Sequence, residues 1–220
     1  MTQVLILGAN GQIARAATEL FVKRADVQLT LYLRRAKRLW GPGLNLPLLN
    51  QVDVIEGDVL DMKTLKAAMA GQDVVYANLS GPLEKMAKNI VQAMKATGVK
   101  RLIFISSIGI YDEIFGEQCG RMADPHRKVA AVIEASDLDY TILRPAWLND
   151  KDEIAYETTQ NGRLFKAADK PVSRKSVADL VVKLATTPGL EVRHSLGVNK
   201  AKQSASRCWI NTSDRIFQMC

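Results

Sequence analysis

The residues with evident chemical use begin at Gly8-Ala9-Asn10-Gly11-Gln12-Ile13-Ala14, directly after the apolar run Val4-Leu5-Ile6-Leu7. A strand that turns at Gly8 and enters a helix near Gly11 aims the first helical N–H groups, and the positive end of the helix dipole, beyond the strand. A pyrophosphate is the ligand this geometry suits. Gly8 permits the tight turn, Gly11 lets the backbone approach phosphates, and Ala14 is small enough for helix to pack on strand. The spacing is G-x-x-G-x-x-A, with Asn10 where the G-x-G version has glycine. Alone, such a turn also suits any strand-to-helix connection. Its place in the first βα unit of an alternating chain makes a dinucleotide the leading ligand.

The next strand-like run ends in Leu33-Arg34-Arg35. An acid at that point accepts hydrogen bonds from the adenosine ribose 2′-hydroxyl and selects NAD, whereas a guanidinium suits a 2′-phosphate. NADP(H) is therefore expected in preference to NAD(H). The alternative reading of these arginines is a solvated basic loop or a contact to a nucleic-acid backbone. Further along, Gly57-Asp58-Val59, Asn78-Leu79-Ser80-Gly81 and Ser106-Ser107-Ile108-Gly109-Ile110-Tyr111 each follow a strand-like run. That is the carboxyl edge along which open α/β sheets bind ligands, although each stretch taken singly also reads as ordinary loop chemistry.

The elements needed to position these residues are legible as a rhythm. Apolar runs at 4–7, 29–33, 52–55, 74–76, 102–105 and 140–143 alternate with helix-like stretches near 12–24, 62–70, 83–97 and 124–135. The last of these opens with Asp124-Pro125, read as N-cap and first-turn proline. Strict alternation implies a doubly wound α/β fold, a parallel sheet covered on both faces by right-handed crossovers. Residues 36–50 read as a loop and 149–163 as a polar stretch. A helix near 176–187 and a final strand near 192–198 follow, and residues 201–220 show no clear periodicity.

Composition narrows the function classes. With 220 residues, 47% hydrophobic and 24% charged, the chain has the balance of a soluble globular protein. No apolar run reaches the roughly 20 residues needed to span a bilayer, and Met1-Thr2-Gln3 leads into a strand without a basic leader, so a cytoplasmic location is expected. The net charge of +7 is local. Arg34, Arg35, Lys37 and Arg38 carry +4, residues 200–220 carry +3, and the remainder is neutral. Nucleic acid is not expected, because no recognition motif accompanies the charge and aromatics are only 6%, few for a stacking platform. Cys119, Cys208 and Cys220 form no C-x-x-C pair and fit no zinc spacing with His126 and His194, which favours a reduced, metal-free protein.

The G-A-N-G-Q-I-A turn, Gly57-Asp58-Val59, Ile105-Ser106-Ser107-Ile108-Gly109-Ile110-Tyr111 and Leu138-Asp139-Tyr140-Thr141-Ile142-Leu143-Arg144-Pro145 together resemble the atypical short-chain dehydrogenase/reductases, most closely their NmrA-like, NAD(P)H-binding branch. The resemblance runs from about residue 3 to 198. It implies a single Rossmann-type domain over 1–198 with a small C-terminal substrate lobe at about 146–175. Residues 199–220 are then a basic tail, poorly ordered or non-native. The resemblance also implies that Gly8, Asn10, Gly11, Gln12 and Ile13 line the pyrophosphate turn, with Arg34 and Arg35 at the 2′-phosphate. Asp58 and Val59 would flank adenine, Asn78, Leu79 and Ser80 the ribose region, and Ser106, Pro145 and Ala146 the nicotinamide side. Ser107 matches the family's catalytic serine.

One departure bears on activity. The working enzymes of that class use Tyr-x-x-x-Lys, in which lysine lowers the tyrosine pKa for proton transfer near neutral pH. No tyrosine here has a lysine four residues later, and counting back from Leu138-Asp139-Tyr140 puts His126 at the lysine position and Met122 at the tyrosine position. His126 can in principle transfer a proton. The alternative is an exposed histidine in the first turn of its helix. Two functions follow as expectations. One is an NADP(H)-dependent oxidoreductase that passes hydride to a small carbonyl, quinone or flavin acceptor entering beside Trp147 and the 149–170 segment. The other is a non-catalytic NADP(H) sensor that acts through a protein partner.

Overall fold

The computed structural model describes residues 1–37, 51–112, 120–163 and 170–201. The expected loop at 36–50 and the tail at 201–220 thus lie almost wholly outside the described residues. In chain order the elements are β1 (Thr2–Leu7), α1 (Gln12–Phe21), β2 (Val27–Leu33), β3 (Val52–Glu56), α2 (Met62–Met69), β4 (Val74–Ala77), α3 (Leu83–Thr97) and β5 (Arg101–Ile105). Then come α4 (Gly120–Glu134), β6 (Asp139–Pro145), β7 (Leu148–Asn149), β8 (Tyr156–Gln160), β9 (Val172–Ser173), α5 (Arg174–Thr186) and β10 (His194–Lys200). Eight strands form one sheet in the order β3-β2-β1-β4-β5-β6-β10-β8, parallel except for β8, which runs antiparallel to β10. This is the expected doubly wound arrangement.

The sheet is apolar on both faces because helices cover both. Along β1, Val4 and Ile6 pack toward α1 and α5, while Leu5 and Leu7 pack toward α2, α3 and α4. The helices answer with stripes: Ile13, Ala14, Ala17, Thr18 and Phe21 are the buried residues of α1, spaced to fall on one side of a 3.6-residue repeat. Strand order reverses between β1 and β4, so the helices after these two strands leave in opposite directions and open a crevice at their carboxyl ends.

Several elements depart from the sequence reading. The fourth helix begins at Gly120, not at Asp124, so Pro125 lies inside it. Ala123, one residue before the expected cap, is buried in the core at 2% exposure, and that packing carries the helix past a proline that removes one backbone hydrogen bond. The polar stretch 149–163 contains β8, whose edge position needs no apolar alternation. α5 starts two residues early because the Ser173 side chain caps it, accepting from the Ser176 N–H. α1 ends at Phe21, three residues short, where the last buried residue of its stripe lies.

Candidate functional site

A cleft of about 380 Å³ opens at the point where the strand order reverses. Its floor is the β1–α1 turn. Gly8 has φ +78°, the left-handed region that glycine enters without strain, and a Cβ there would stand 2.2 Å from the Asn78 carbonyl oxygen. Gly11 has ordinary backbone angles, and what excludes a side chain is Asn78 itself, whose Nδ2 would lie 2.4 Å from the added Cβ. Both glycines therefore make room for the loop after β4 as well as for a ligand. The Asn78 N–H donates to the Leu7 carbonyl at 2.9 Å, which fixes that loop against the end of β1.

The start of α1 suits an anion. Gly11, which lines the cleft, offers no side-chain cap, the first turn contains no acid, and the first N–H groups of a helix have no partner within it. On one side, Arg34 and Arg35 line the cleft. Both are exposed, and neither makes an ion pair or side-chain hydrogen bond among the described residues. Asp58 and Val59 form the adjoining wall, with Asn78, Leu79 and Ser80 opposite.

Gly57, the first residue of the Gly57-Asp58-Val59 stretch, lines the cleft as well, and so do Tyr32, Leu33 and Met86, which sequence reading missed. Tyr32 explains Gly57. Its hydroxyl donates to the Asp58 carbonyl at 2.9 Å and shares a hydrogen bond of 3.0 Å with Thr64 Oγ1, while a Cβ on Gly57 would stand 2.4 Å from that hydroxyl. Burial pushes the Tyr32 phenol above its ordinary pKa, so the ring stays neutral and acts as a strut. The only sequence signal was a polar-tipped aromatic in an otherwise aliphatic strand, followed by a glycine at the end of the next.

Other predicted residues gather toward β5 and β6. Ser106 is buried at the end of β5, and its Oγ lies 3.5 Å from His126 Nδ1. The exposed, first-turn reading of His126 is corrected: the ring is half-buried in the second turn of α4, and burial holds its pKa below the ordinary 6.5. Ser107 is half-buried one residue on. Pro145 and Ala146 are buried at the end of β6, Gln12 is exposed, and the Ile13 side chain faces the core. None of these residues lines the cleft beside Arg34 and Arg35. Trp147 is 63% exposed just beyond β6.

Beneath the β5–α4 connection lies a buried cation. Arg144 is fully buried, its Nε donates to Ser195 Oγ at 3.1 Å, and one terminal nitrogen donates to the Ser195 carbonyl at 3.2 Å. The guanidinium carbon sits 5.0 Å from the centre of the Tyr111 ring, and the Tyr111 hydroxyl donates to Glu134. The network ties the segment after Ser106 to α4 and β10. Among the described residues no cluster of three or more His, Cys, Asp or Glu side chains could hold a metal, and no helix is long and apolar enough to cross a membrane.

Fold and cleft together define a dinucleotide-binding α/β protein. The chain belongs to the NAD(P)H-binding family, whose model matches residues 8–188. A Rossmann-fold NAD(P)-binding family protein from Shigella flexneri is 40% identical, with TM-score 0.78 and full coverage of both chains. A short-chain dehydrogenase/reductase from Veillonella parvula, solved in complex with NADP, is 28% identical with TM-score 0.80, covering 90% of this chain and 94% of that one. An uncharacterized sugar epimerase, YhfK of Bacillus subtilis, is 27% identical over 68% of this chain and 73% of its own length. The expected resemblance to short-chain dehydrogenase/reductases thus holds. The coarse function is that of an NAD(P)-binding protein in a family of oxidoreductase- and epimerase-like relatives.

Proposed function

We propose that the protein is an NADP(H)-dependent oxidoreductase acting on a small acceptor such as a carbonyl, quinone or flavin. The observation that carries this reading is the pair Arg34 and Arg35, exposed at the wall of the same cleft whose floor is the glycine turn. Residues present fit the cofactor: an uncapped helix start for the pyrophosphate, two arginines for the 2′-phosphate, and the Tyr32-braced Asp58 wall for adenine. The NADP held by the Veillonella parvula protein supports the same choice.

When bound, the cofactor supplies a hydride. The chain's own residues then have separate tasks. Gly8, Asn10, Gly11, Gln12 and Ile13 offer backbone to the pyrophosphate, Val59 packs at adenine, and Asn78, Leu79 and Ser80 hold the ribose region. Ser106, Pro145 and Ala146 form the nicotinamide side, with the acceptor entering beside Trp147. Ser107 donates a hydrogen bond to the acceptor oxygen. His126, in reach of Ser106, is the group that supplies the proton the acceptor needs, in place of the absent Tyr-x-x-x-Lys pair.

The test is a calorimetric titration with NADPH and NADH, repeated on Arg34→Ala/Arg35→Ala. Loss of charge-assisted bonds at about 1.5–3 kcal/mol each predicts at least a tenfold NADPH preference that the double variant abolishes. Equal affinities in the unmodified protein would refute the selectivity. The missing Tyr-x-x-x-Lys pair favours a second reading, a regulator that binds NADP(H) and reports its redox state to a protein partner. Tight NADPH binding with no turnover across an aldehyde, quinone and flavin panel would select it.

A further inference from the structure

We propose that Arg127 is a positioning residue of the reaction proposed above, holding the segment after β5 so that Ser107 meets the acceptor oxygen and Ser106 meets His126. The inference rests on the reductase reading and adds a residue to which that reading gives no contact with cofactor or acceptor. Beyond β5 the chain sinks Ile108 into the core beside α1 and α5, and Ile110 into the core beside α2, α3 and α4. Crossing from one face of the sheet to the other turns the backbone sharply. Two residues of the segment take the left-handed conformation, Gly109 at φ +86° and Asp112 at φ +57°, and for an aspartate that conformation has a cost. One terminal nitrogen of Arg127 reaches both, donating to the Gly109 carbonyl at 3.2 Å and to the Asp112 carboxylate.

These contacts do little for stability. The Asp112 side chain is 81% exposed and that of Arg127 37%, so water screens the ion pair. The Arg127 Nε is buried with no hydrogen-bond partner among the described residues, which counts against the folded state. What the guanidinium fixes is geometry. His126 and Arg127 are consecutive on α4: the first reaches Ser106, and the second grips Gly109 and Asp112. Ser107 lies inside that span, half-buried, and its hydroxyl is aimed by contacts made from a single turn of one helix. Farther along α4, Glu134 accepts from the Tyr111 hydroxyl and anchors the same segment a third time. A group that is misplaced by about 1 Å loses on the order of 100-fold in rate, with far less effect on binding.

The test uses the full-length chain with Arg127→Met, Arg127→Lys and Asp112→Ala. Turnover is read as NADPH oxidation with benzaldehyde, menadione or FMN, cofactor binding by calorimetry with 2′,5′-ADP, and the position of His126 by its proton NMR titration. Arg127→Met is expected to lower kcat at least tenfold while the affinity for 2′,5′-ADP stays within about twofold. Arg127→Lys recovers part of kcat, because it keeps the charge but reaches less far. The titration needs no turnover. Burial holds the His126 midpoint below 6.5, so a loosened segment admits water and moves it up. Loss of the Asp112 carboxylate would by charge alone move it down, and Asp124 and Lys128, the other charges beside the ring in the chain, are unchanged in all three variants. A rise in Asp112→Ala therefore reports the clamp. An unchanged kcat in Arg127→Met overturns the proposal, and so does an equal loss of kcat and 2′,5′-ADP affinity, which assigns Arg127 to general stability. If the unmodified protein turns over none of the three acceptors, the reductase reading fails by itself. The hold on His126 then stands with a raised midpoint in Asp112→Ala and falls with an unchanged or lowered one.

Discussion

The Asn78 side chain occupies the space that a side chain on Gly11 would need, with Nδ2 2.4 Å from the position of the missing Cβ. Gly11→Ala therefore acts first on the loop after β4. Asn78 must shift, and with it the Leu79 and Ser80 wall of the cleft. The expected result is loss of NADPH and NADH affinity together, by tenfold or more, with a folded protein by circular dichroism. A variant that binds both cofactors normally would show that the loop yields without cost. Gly8→Ala is the harsher change, because it adds a positive-φ penalty of about 1–2 kcal/mol to a 2.2 Å clash with backbone.

Tyr32→Phe removes one hydroxyl that bridges the Asp58 carbonyl and Thr64. The expected loss is about 1 kcal/mol in urea unfolding, with weaker cofactor binding through a looser Asp58 wall. Gly57→Ala should cost more, since the added methyl meets the ring itself. Equal stability of Tyr32→Phe and the unmodified protein would remove the strut role.

The titration of His126 gives a prediction with a sign. Its folded pKa lies below the ordinary 6.5, so the unfolded chain binds more protons as pH falls through 6.5. Stability then declines from pH 6.5 downward and levels off below the folded value. His126→Gln flattens that portion of the curve. In a proton NMR titration the His126 resonance should move with a midpoint below 6.5, and a midpoint at or above 6.5 contradicts the burial argument. In the proposed reductase the protonated ring is the donor, so reduction rate rises over the same acid range and oxidation falls.

Arg144→Ala leaves Ser195 and the Tyr111 ring around a void in the interior. Breaking a buried polar network of this kind costs about 3–5 kcal/mol, measured by chemical denaturation. A cost below about 1 kcal/mol would mean that water replaces the guanidinium.

Much of this was legible in the sequence, for a physical reason. Strands buried on both faces need continuous apolar runs, and β1, β2, β5 and β6 have them. Glycines at a strand-to-helix turn and arginines after β2 are local signals, and both line the cleft. What escaped depends on distant partners. Tyr32 became a cleft residue only because β2 lies beside β3, which brings Gly57 and Asp58 under its ring. β8 is Tyr-Glu-Thr-Thr-Gln, with no apolar alternation, and is a strand because β10 offers it an edge. His126 looked exposed because Arg127 and Lys128 flank it, yet the end of β5 half covers it.

The two-residue ladder between β7 and β9 joins Leu148 to Val172 and Asn149 to Ser173. It brings together the points where the chain leaves the sheet after β6 and where it re-enters at α5. Between those two points the described residues give the main sheet a single strand, β8, at its outer edge beside β10. An edge strand so far from the β1–β4 crevice can change in length and composition while the order of the other seven strands and the cofactor cleft stay the same. The proposed acceptor entry at Trp147 stands at the foot of the β7–β9 ladder. On the proposed reading, grafting the 150–171 segment from a relative, β8 included, is expected to alter acceptor choice without rebuilding the cleft.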